Sequence, residues 1–221
     1  VDDPEDIAIY NADRMAAAIV AGITGQAAET TADAARLAAM SREEFVEYIG
    51  GMAAADMQTS GILASVTAAQ SILESGYGKS ELALQALNLG GMKAELSGNT
   101  WASAWDGRTY IKDTAEQRAD GSYYTVTAAF RAYPSVSAYL ADHSAYLAGA
   151  RAGSDLRYAG VIGCRDYRRA FEIIKAGNYA SSLDYVDKLC AVVERWNLTR
   201  FDNVAVQEPG VILSLIHISE P

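Results

Sequence analysis

The sequence predicts an α+β fold in which helices surround one small antiparallel hairpin. Three observations carry this. Ser41-Arg42-Glu43-Glu44 has the spacing of a capping box and opens a run of helically spaced apolar residues. Gly61 to Leu73 is a strongly apolar stretch with the same period. Between Asn99 and Tyr133, β-branched and aromatic residues flank an Asp120-Gly121 pair, the signature of a tight hairpin turn. With 221 residues, 50% hydrophobic and 21% charged, the chain has the composition of a globular protein with room for a sizeable core.

Residues 1–40 open with Val1-Asp2-Asp3-Pro4-Glu5-Asp6 and continue through an Ala-rich stretch of good helical propensity. The chain does not start with Met and shows no signal-peptide core, so it reads as a mature form or a fragment. A helix is expected from Ser41 through Phe45, Ile49 and Met52, with Gly50-Gly51 as a possible interruption. A second helix, starting near Ser60-Gly61, carries Ile62, Val66, Ala69, Ile72 and Leu73 and ends at Glu74-Ser75-Gly76. It is apolar almost all round, as a core helix is. After the hairpin, helical patterning returns at Ser135–Leu147, Tyr167–Lys175 and Leu183–Trp196. Leu213 to Pro221 resembles the translation of a sequencing-library adapter, so the last nine residues are expected to be a scar.

Charge and the scarce residues exclude several function classes. The net charge is −10, and residues 1–60 hold most of it: 11 acidic residues against Arg14, Arg36 and Arg42, a net of −8. No basic face is evident for a phosphate backbone, so nucleic acid is not an expected partner. Met15 to Ile23 is about half the length a membrane span needs, and no membrane span is expected. The two histidines, His143 and His217, are too few for an ordinary zinc hydrolase, and neither metal nor cofactor is expected. A Cys164–His143 thiol–imidazole pair lacks a recognisable nucleophile context, and the plain reading is a small core cysteine and a half-buried helix histidine. Cys164 and Cys190 permit one disulfide, which the sequence alone does not establish.

Chemistry without histidine or thiolate points to carboxylates, as in glycoside hydrolysis. Glu74 closes the apolar helix beside the Gly-rich turn Ser75-Gly76-Tyr77-Gly78. Poor solvation and the negative end of the helix dipole both raise a carboxyl pKa, which suits a general acid. The plainer alternative is a partly exposed helix-terminal Glu with no role.

The run GILASVTAAQSILESGYGKSELA, Gly61 to Ala83, resembles the glucosaminidase family of bacterial peptidoglycan hydrolases, glycoside hydrolase family 73. Further blocks follow in the family's order. These are Asn88-Leu89-Gly90-Gly91-Met92-Lys93, Thr114-Ala115-Glu116, Phe130-Arg131-Ala132-Tyr133, Arg157-Tyr158, and Asn178-Tyr179-Ala180-Ser181 with Asp184-Tyr185. The resemblance spans residues 41–203. It implies a lysozyme-like fold, a mainly helical lobe and a small β-hairpin lobe flanking a glycan groove. It also implies hydrolysis of the β-1,4 bond between N-acetylglucosamine and N-acetylmuramic acid in peptidoglycan, outside the bacterial cytoplasm. Residues 1–40 would then form a helical N-terminal region, free to join a larger wall-breaching assembly or to act as a spacer, and 204–212 a truncated C-terminal segment.

The same resemblance places Glu74 at the general acid, Glu116 at a second carboxylate on the hairpin, and Tyr179 near the scissile sugar. Asp113 and Asp120 are rivals of Glu116, which as an exposed strand residue need have no role. The second carboxylate would activate water, or would support an internal attack by the substrate's acetamido group. Tyr77, Trp101, Trp105 and Tyr110 are candidates for the groove floor, because sugar C–H faces pack on rings, and Asn88 for bonding an N-acetyl group. Core packing is the competing reading for each, Trp101 and Trp105 above all. The chain departs from the family pattern at Gly90, where an aromatic is usual, and at Ser182-Leu183, where Asp-Pro is usual. The catalytic positions are intact, so altered affinity or subsite preference is expected. A lytic transglycosylase is the nearest alternative enzyme, although the Gly-Leu-Met-Gln block expected after its Glu-Ser is absent. A wall-binding protein that keeps the scaffold without catalysis is the alternative of a different class.

Overall fold

The computed structural model describes residues 30–96, 101–103, 105–117 and 123–203, with side chains at all of these except 114–117, 123 and 124. A helix over residues 30–39 (α1) is followed by α2 (Arg42–Ser60), α3 (Ala64–Ser75) and the short α4 (Glu81–Ala86). The hairpin strands β1 (Thr109–Gln117) and β2 (Tyr123–Arg131) come next, then α5 (Val136–Gly149). A two-residue ribbon, β3 (Arg151–Ala152) and β4 (Asp155–Leu156), leads to α6 (Tyr167–Ala176), α7 (Tyr185–Trp196) and a closing 3-10 turn at Leu198–Asn203.

The α2 start is the one the capping box dictates. The Glu44 amide donates to Ser41 Oγ at 3.1 Å, and the Ser41 amide donates to Glu44 Oε2 at 2.7 Å. Gly50-Gly51 does not interrupt the helix, contrary to expectation. A Cβ on Gly50 would stand 2.2 Å from the Phe201 ring, so the missing side chain is what lets the 3-10 turn pack against α2. That contact outweighs the roughly 1 kcal/mol propensity cost of an internal glycine. Ser60-Gly61 ends α2 and does not start α3: Gly61 is a left-handed cap at φ 71, and α3 begins at Ala64.

Helix α3 is the spine of the core, buried from Ala64 to Ile72. Its first residues carry no local side-chain cap; the Asp202 carboxylate from the 3-10 turn accepts the Ser65 amide at 2.8 Å instead. Around it pack α2, α7, α6 and the 3-10 turn. Helix α1 joins this body: Leu37 is fully buried, and Lys79 Nζ donates to the Leu37 and Ala38 carbonyls at 2.8 Å each.

The hairpin is antiparallel and in register from Thr109↔Arg131 to Gln117↔Tyr123. The Asp120-Gly121 turn, like residues 1–29 and 204–221, lies outside the described residues. A buried ionic network holds the hairpin root to α5. Arg131 Nη1 donates to Asp142 Oδ2 at 2.8 Å, and the Tyr133 hydroxyl donates to the same oxygen at 2.8 Å. Both charged side chains are almost wholly removed from water, Arg131 at 2% and Asp142 at 0% exposure. Such a pair keeps its geometry because each charge needs the other.

Cys164 and Cys190 are free thiols, so the permitted disulfide is not formed. Cys190 is buried on α7, whereas Cys164 is half-buried in the loop before α6 and not a core residue. His143 is fully buried, more than expected, and neither ring nitrogen has a hydrogen-bond partner, so no thiol–imidazole pair exists. Among the described residues no helix is long and apolar enough to cross a membrane.

Candidate active site

Glu74 is the penultimate residue of α3, and the turn after it is pinned from several sides. Gly76, Tyr77 and Gly78 all take left-handed backbone conformations, at φ 56, 60 and 72. Gly78 fits because its Cα lies against Phe45, where a Cβ would come within 2.6 Å of the ring. Ser75 Oγ accepts the Gly78 amide at 2.8 Å, and the Tyr77 amide returns to the Ile72 carbonyl at 3.0 Å. The left-handed conformation disfavours a side chain at Tyr77. Contacts of its ring offset that cost: Trp196 Nε1 donates to the Tyr77 hydroxyl at 3.1 Å, and the Arg42 guanidinium lies 4.9 Å from the ring centre.

The Glu74 carboxyl opens into a groove of 420 Å³ that it shares with Leu73, Tyr179, Ser182, Tyr185 and Lys188. The side chain is exposed to this groove, yet the surrounding protein removes enough water to raise its pKa above the ordinary carboxylate value. The hydrogen-bonding interaction with Tyr185 opposes that shift without cancelling it. Tyr185 is set by α3 itself: Gln70, one helical turn before Glu74, donates Nε2 to the Tyr185 hydroxyl at 3.0 Å. The phenolic proton of Tyr185 is thereby left for Glu74.

Tyr179 stacks on Tyr185 at 6.2 Å with an interplanar angle of 20°. Burial among tyrosines, with the negative charge of Glu74 nearby, holds its pKa far above the ordinary phenol value. It therefore stays a neutral hydrogen-bond donor at the groove wall. Behind it lie the rings of His143, Tyr146 and Tyr158 at 6.0 to 6.4 Å. A second cavity of 80 Å³ adjoins the groove through Tyr179 and is lined by Gly90, Gly91, Met92, Leu96 and Tyr146. The departure at Gly90 is a packing feature as well as an opening, since a Cβ there would come within 2.7 Å of the Tyr139 hydroxyl.

The structure brings Glu74 and Tyr179 together and distributes the other sequence candidates elsewhere. Glu116 lies on β1 opposite Tyr124, at the same strand parity as Tyr110 and Lys112; its side chain is not among those described. Asp113 stands on β1 and accepts from Thr127 Oγ1 at 2.7 Å across the hairpin. The Tyr110 hydroxyl donates to Glu81 Oε1 at 2.8 Å, which ties β1 to α4. Tyr77 turns its ring toward α2 and α7 and is not among the groove-lining residues.

Asn88 is a correction. It is 1% exposed, and both its N–H donors are spent: Nδ2 donates to the Met92 and Arg131 carbonyls at 2.9 and 2.8 Å, while Oδ1 accepts the Met92 amide at 2.9 Å. A side chain so buried and bonded shapes the Gly90-Gly91 loop and has no donor left for a ligand. Trp101 and Trp105 clasp the Arg131 guanidinium at 4.9 and 4.5 Å, and Trp105 Nε1 donates to the Arg108 carbonyl at 2.8 Å. Both follow the packing reading, and neither lines the groove beside Glu74.

Gln70, Tyr185 and Lys188 were not anticipated as site residues. Gln70 had a readable signal, a polar residue one turn before Glu74 in an otherwise apolar helix. Tyr185 and Lys188 belong to a helix whose approach to α3 no local pattern encodes.

Residues 50–198 match the family model described as Glucosaminidase: Mannosyl-glycoprotein endo-beta-N-acetylglucosaminidase. The chain is 29% identical over 163 residues to the exo-glucosaminidase LytG of Bacillus subtilis, covering 74% of this chain and 54% of that protein. It is 28% identical over 180 residues to a probable N-acetylmuramidase of Lactococcus lactis, covering 80% and 38% respectively. The chain thus spans about half or less of the length of these curated relatives. Among solved structures, the catalytic domain of the autolysin Auto from Listeria monocytogenes superposes with a TM-score of 0.62 at 27% identity, over 76% of this chain and 93% of that one. With helices around a small antiparallel hairpin and Glu74 at the end of the core helix, this chain belongs to the glucosaminidase family and has the lysozyme-like fold expected of it.

Proposed function

We propose that the chain hydrolyses the β-1,4 bond after N-acetylglucosamine in peptidoglycan, with Glu74 as the proton donor. The observation that carries this reading is a carboxyl of raised pKa, open to a groove and flanked by two neutral tyrosine hydroxyls, in a chain of the glucosaminidase family. Glu74 in its acid form gives its proton to the glycosidic oxygen as the anomeric C–O bond breaks. Water adds its hydroxyl to the anomeric carbon and returns a proton to a base. Glu116 is the proposed second carboxylate, with Asp113 and Asp120 as rivals and the substrate's own acetamido oxygen as the alternative nucleophile. Tyr179 and Tyr185 hold the reacting sugar and the acid in place.

Cutting within a strand is part of this proposal, in contrast to the exo action in the name of the Bacillus relative. The proposed site of action is the bacterial cell wall, through the domain at residues 41–203; the role proposed for residues 1–40 in a larger assembly falls to the part before α1, since α1 is packed into the body through Leu37. The Lactococcus relatives carry a muramidase name, which supports a second reading with the same acid and the other glycosidic bond.

Digestion of purified peptidoglycan by wild type and Glu74→Gln, with mass spectrometry of borohydride-reduced fragments, separates these. Reduced N-acetylglucosamine ends that vanish in the variant are the expected result. Reduced muramic ends would transfer the reading to a muramidase, and anhydro-muramic ends to a lytic transglycosylase. Wild type that binds strands without cutting them would make the chain a wall-binding protein.

A further inference from the structure

The groove beside Glu74 contains a cation that hydrolysis of a neutral glycosidic bond does not require. Lys188 lines it with Tyr179, Ser181, Ser182 and Tyr185. It sits three residues after Tyr185 on α7, so the two share a helix face. Among the described residues lining this groove it is the one basic group, set against the Glu74 carboxyl.

The ammonium is held loosely. Lys188 Nζ meets Asp184 Oδ2 at 2.9 Å, with the two side chains 54% and 58% exposed. A pair this open contributes little and exchanges partners with solutes. Asp184 has a further partner in the Ser182 hydroxyl, so it need not follow the lysine. It also makes no side-chain cap to α7, although it occupies the cap position. Between Ser182 and Asp184, Leu183 is 98% exposed. An exposed leucine alone is ordinary. Leu183 directly follows the groove-lining Ser182 in the chain and is not itself a lining residue, so it stands free to meet an apolar group on a ligand that reaches Lys188.

We infer that Lys188 and Leu183 form a subsite for a carboxylate borne on a short apolar arm of the glycan, which distinguishes peptidoglycan from an unsubstituted N-acetylglucosamine polymer. This rests on the glucosaminidase reading above. The chemistry has two sources on a wall strand: the lactyl ether of the muramyl sugar and the peptide stem attached to it. Lys188 takes the carboxylate in exchange for Asp184, and Leu183 covers the methyl groups of the arm.

The test compares wild type, Lys188→Gln and Asp184→Asn on three ligands. These are stem-bearing glycan strands, strands stripped of stems by an amidase so that the lactyl carboxylate is free, and neutral chitooligosaccharide measured as substrate or competing inhibitor. Lys188→Gln is expected to raise KM on carboxylated strands about fivefold, the upper range for an exposed ion pair, with kcat unchanged and no effect on the neutral ligand. Asp184→Asn, which frees the lysine, is expected to lower KM on the same strands. An effect confined to stripped strands assigns the lactyl carboxylate, which is tied up as an amide while the stem is attached; an effect on stem-bearing strands assigns the carboxylates of the stem. Equal effects on charged and neutral ligands, or no effect of Lys188→Gln on any, would overturn the inference. Wild type without turnover on every ligand would instead sink the glucosaminidase reading. The Lys188 dependence of strand binding would still decide the subsite.

Discussion

His143 makes the stability of this protein depend on pH in a defined window. The ring is wholly buried on α5 between Tyr139 and Tyr179, at 5.7 and 6.0 Å, with no hydrogen-bond partner for either nitrogen. Burial lowers its pKa from 6.5 to about 4, and the neighbouring Asp142 charge only partly opposes this. The unfolded chain therefore takes a proton near pH 6.5, which the folded chain refuses until about pH 4. Stability contributed by the neutral ring is present above pH 6.5 and is lost as pH falls through that window. The complete difference corresponds to about 3.4 kcal/mol, of which about 2 kcal/mol is lost by pH 5. Raised carboxyls such as Glu74, Asp56 and Asp202 act in the opposite sense, gaining protons in the folded state first. Comparison with His143→Met, close in volume and not titratable, removes their contribution. Urea unfolding of both proteins at pH 8, 7, 6 and 5 should show the variant gaining about 2 kcal/mol on wild type between pH 8 and pH 5. Parallel stability curves would refute the reasoning, since they would mean that the ring is hydrated and titrates normally in the folded state.

Other outcomes follow from particular contacts. Gly50→Ala should destabilise, because its Cβ would collide with Phe201, while Gly51→Ala, with open space around it, should stabilise by about 0.5–1 kcal/mol in thermal melts. Asp202→Ala removes the cap of α3 and should cost about 1–2 kcal/mol, read as a lower denaturant midpoint at unchanged slope. Asp142→Ala removes the buried carboxylate that meets Arg131 and should cost about 3–5 kcal/mol; Arg131→Met with Asp142→Leu together should recover much of the loss. The basic limb of the pH–rate profile should lie above the ordinary carboxylate range, because hydrolysis needs Glu74 protonated and its pKa is raised; a limb at the ordinary value would remove Glu74 from the acid role.

The helix starting after Ser41, the core helix ending at Glu74 and the two hairpin strands were legible because each obeys rules acting within a few residues. The capping box spans Ser41 to Glu44, and the strands announce themselves by residue type. Glu74 was legible for the same reason, being placed by an apolar helix and the turn that stops it. Where the local rules failed, a distant segment had intervened. Phe201 packs on Gly50 of α2, and Asp202 caps α3 from 137 residues away.

The sequence by itself determined the long helices, the hairpin, their order and the position of the acid at the end of a core helix, while the short α4, the β3–β4 ribbon and the closing 3-10 turn carried no pattern that announced them. Only the tertiary structure decided which polar and aromatic side chains face the groove and which are spent inside. Asn88 went to the Met92 and Arg131 backbone, Tyr77 to Trp196 across 119 residues, and Trp101 and Trp105 to Arg131, while Tyr185 and Lys188 came to the groove with α7. The physical reason is that a buried polar or aromatic group takes the partner that packing brings within reach. That partner lies at a chain separation no local period records, as Gln70 and Tyr185 do at 115 residues.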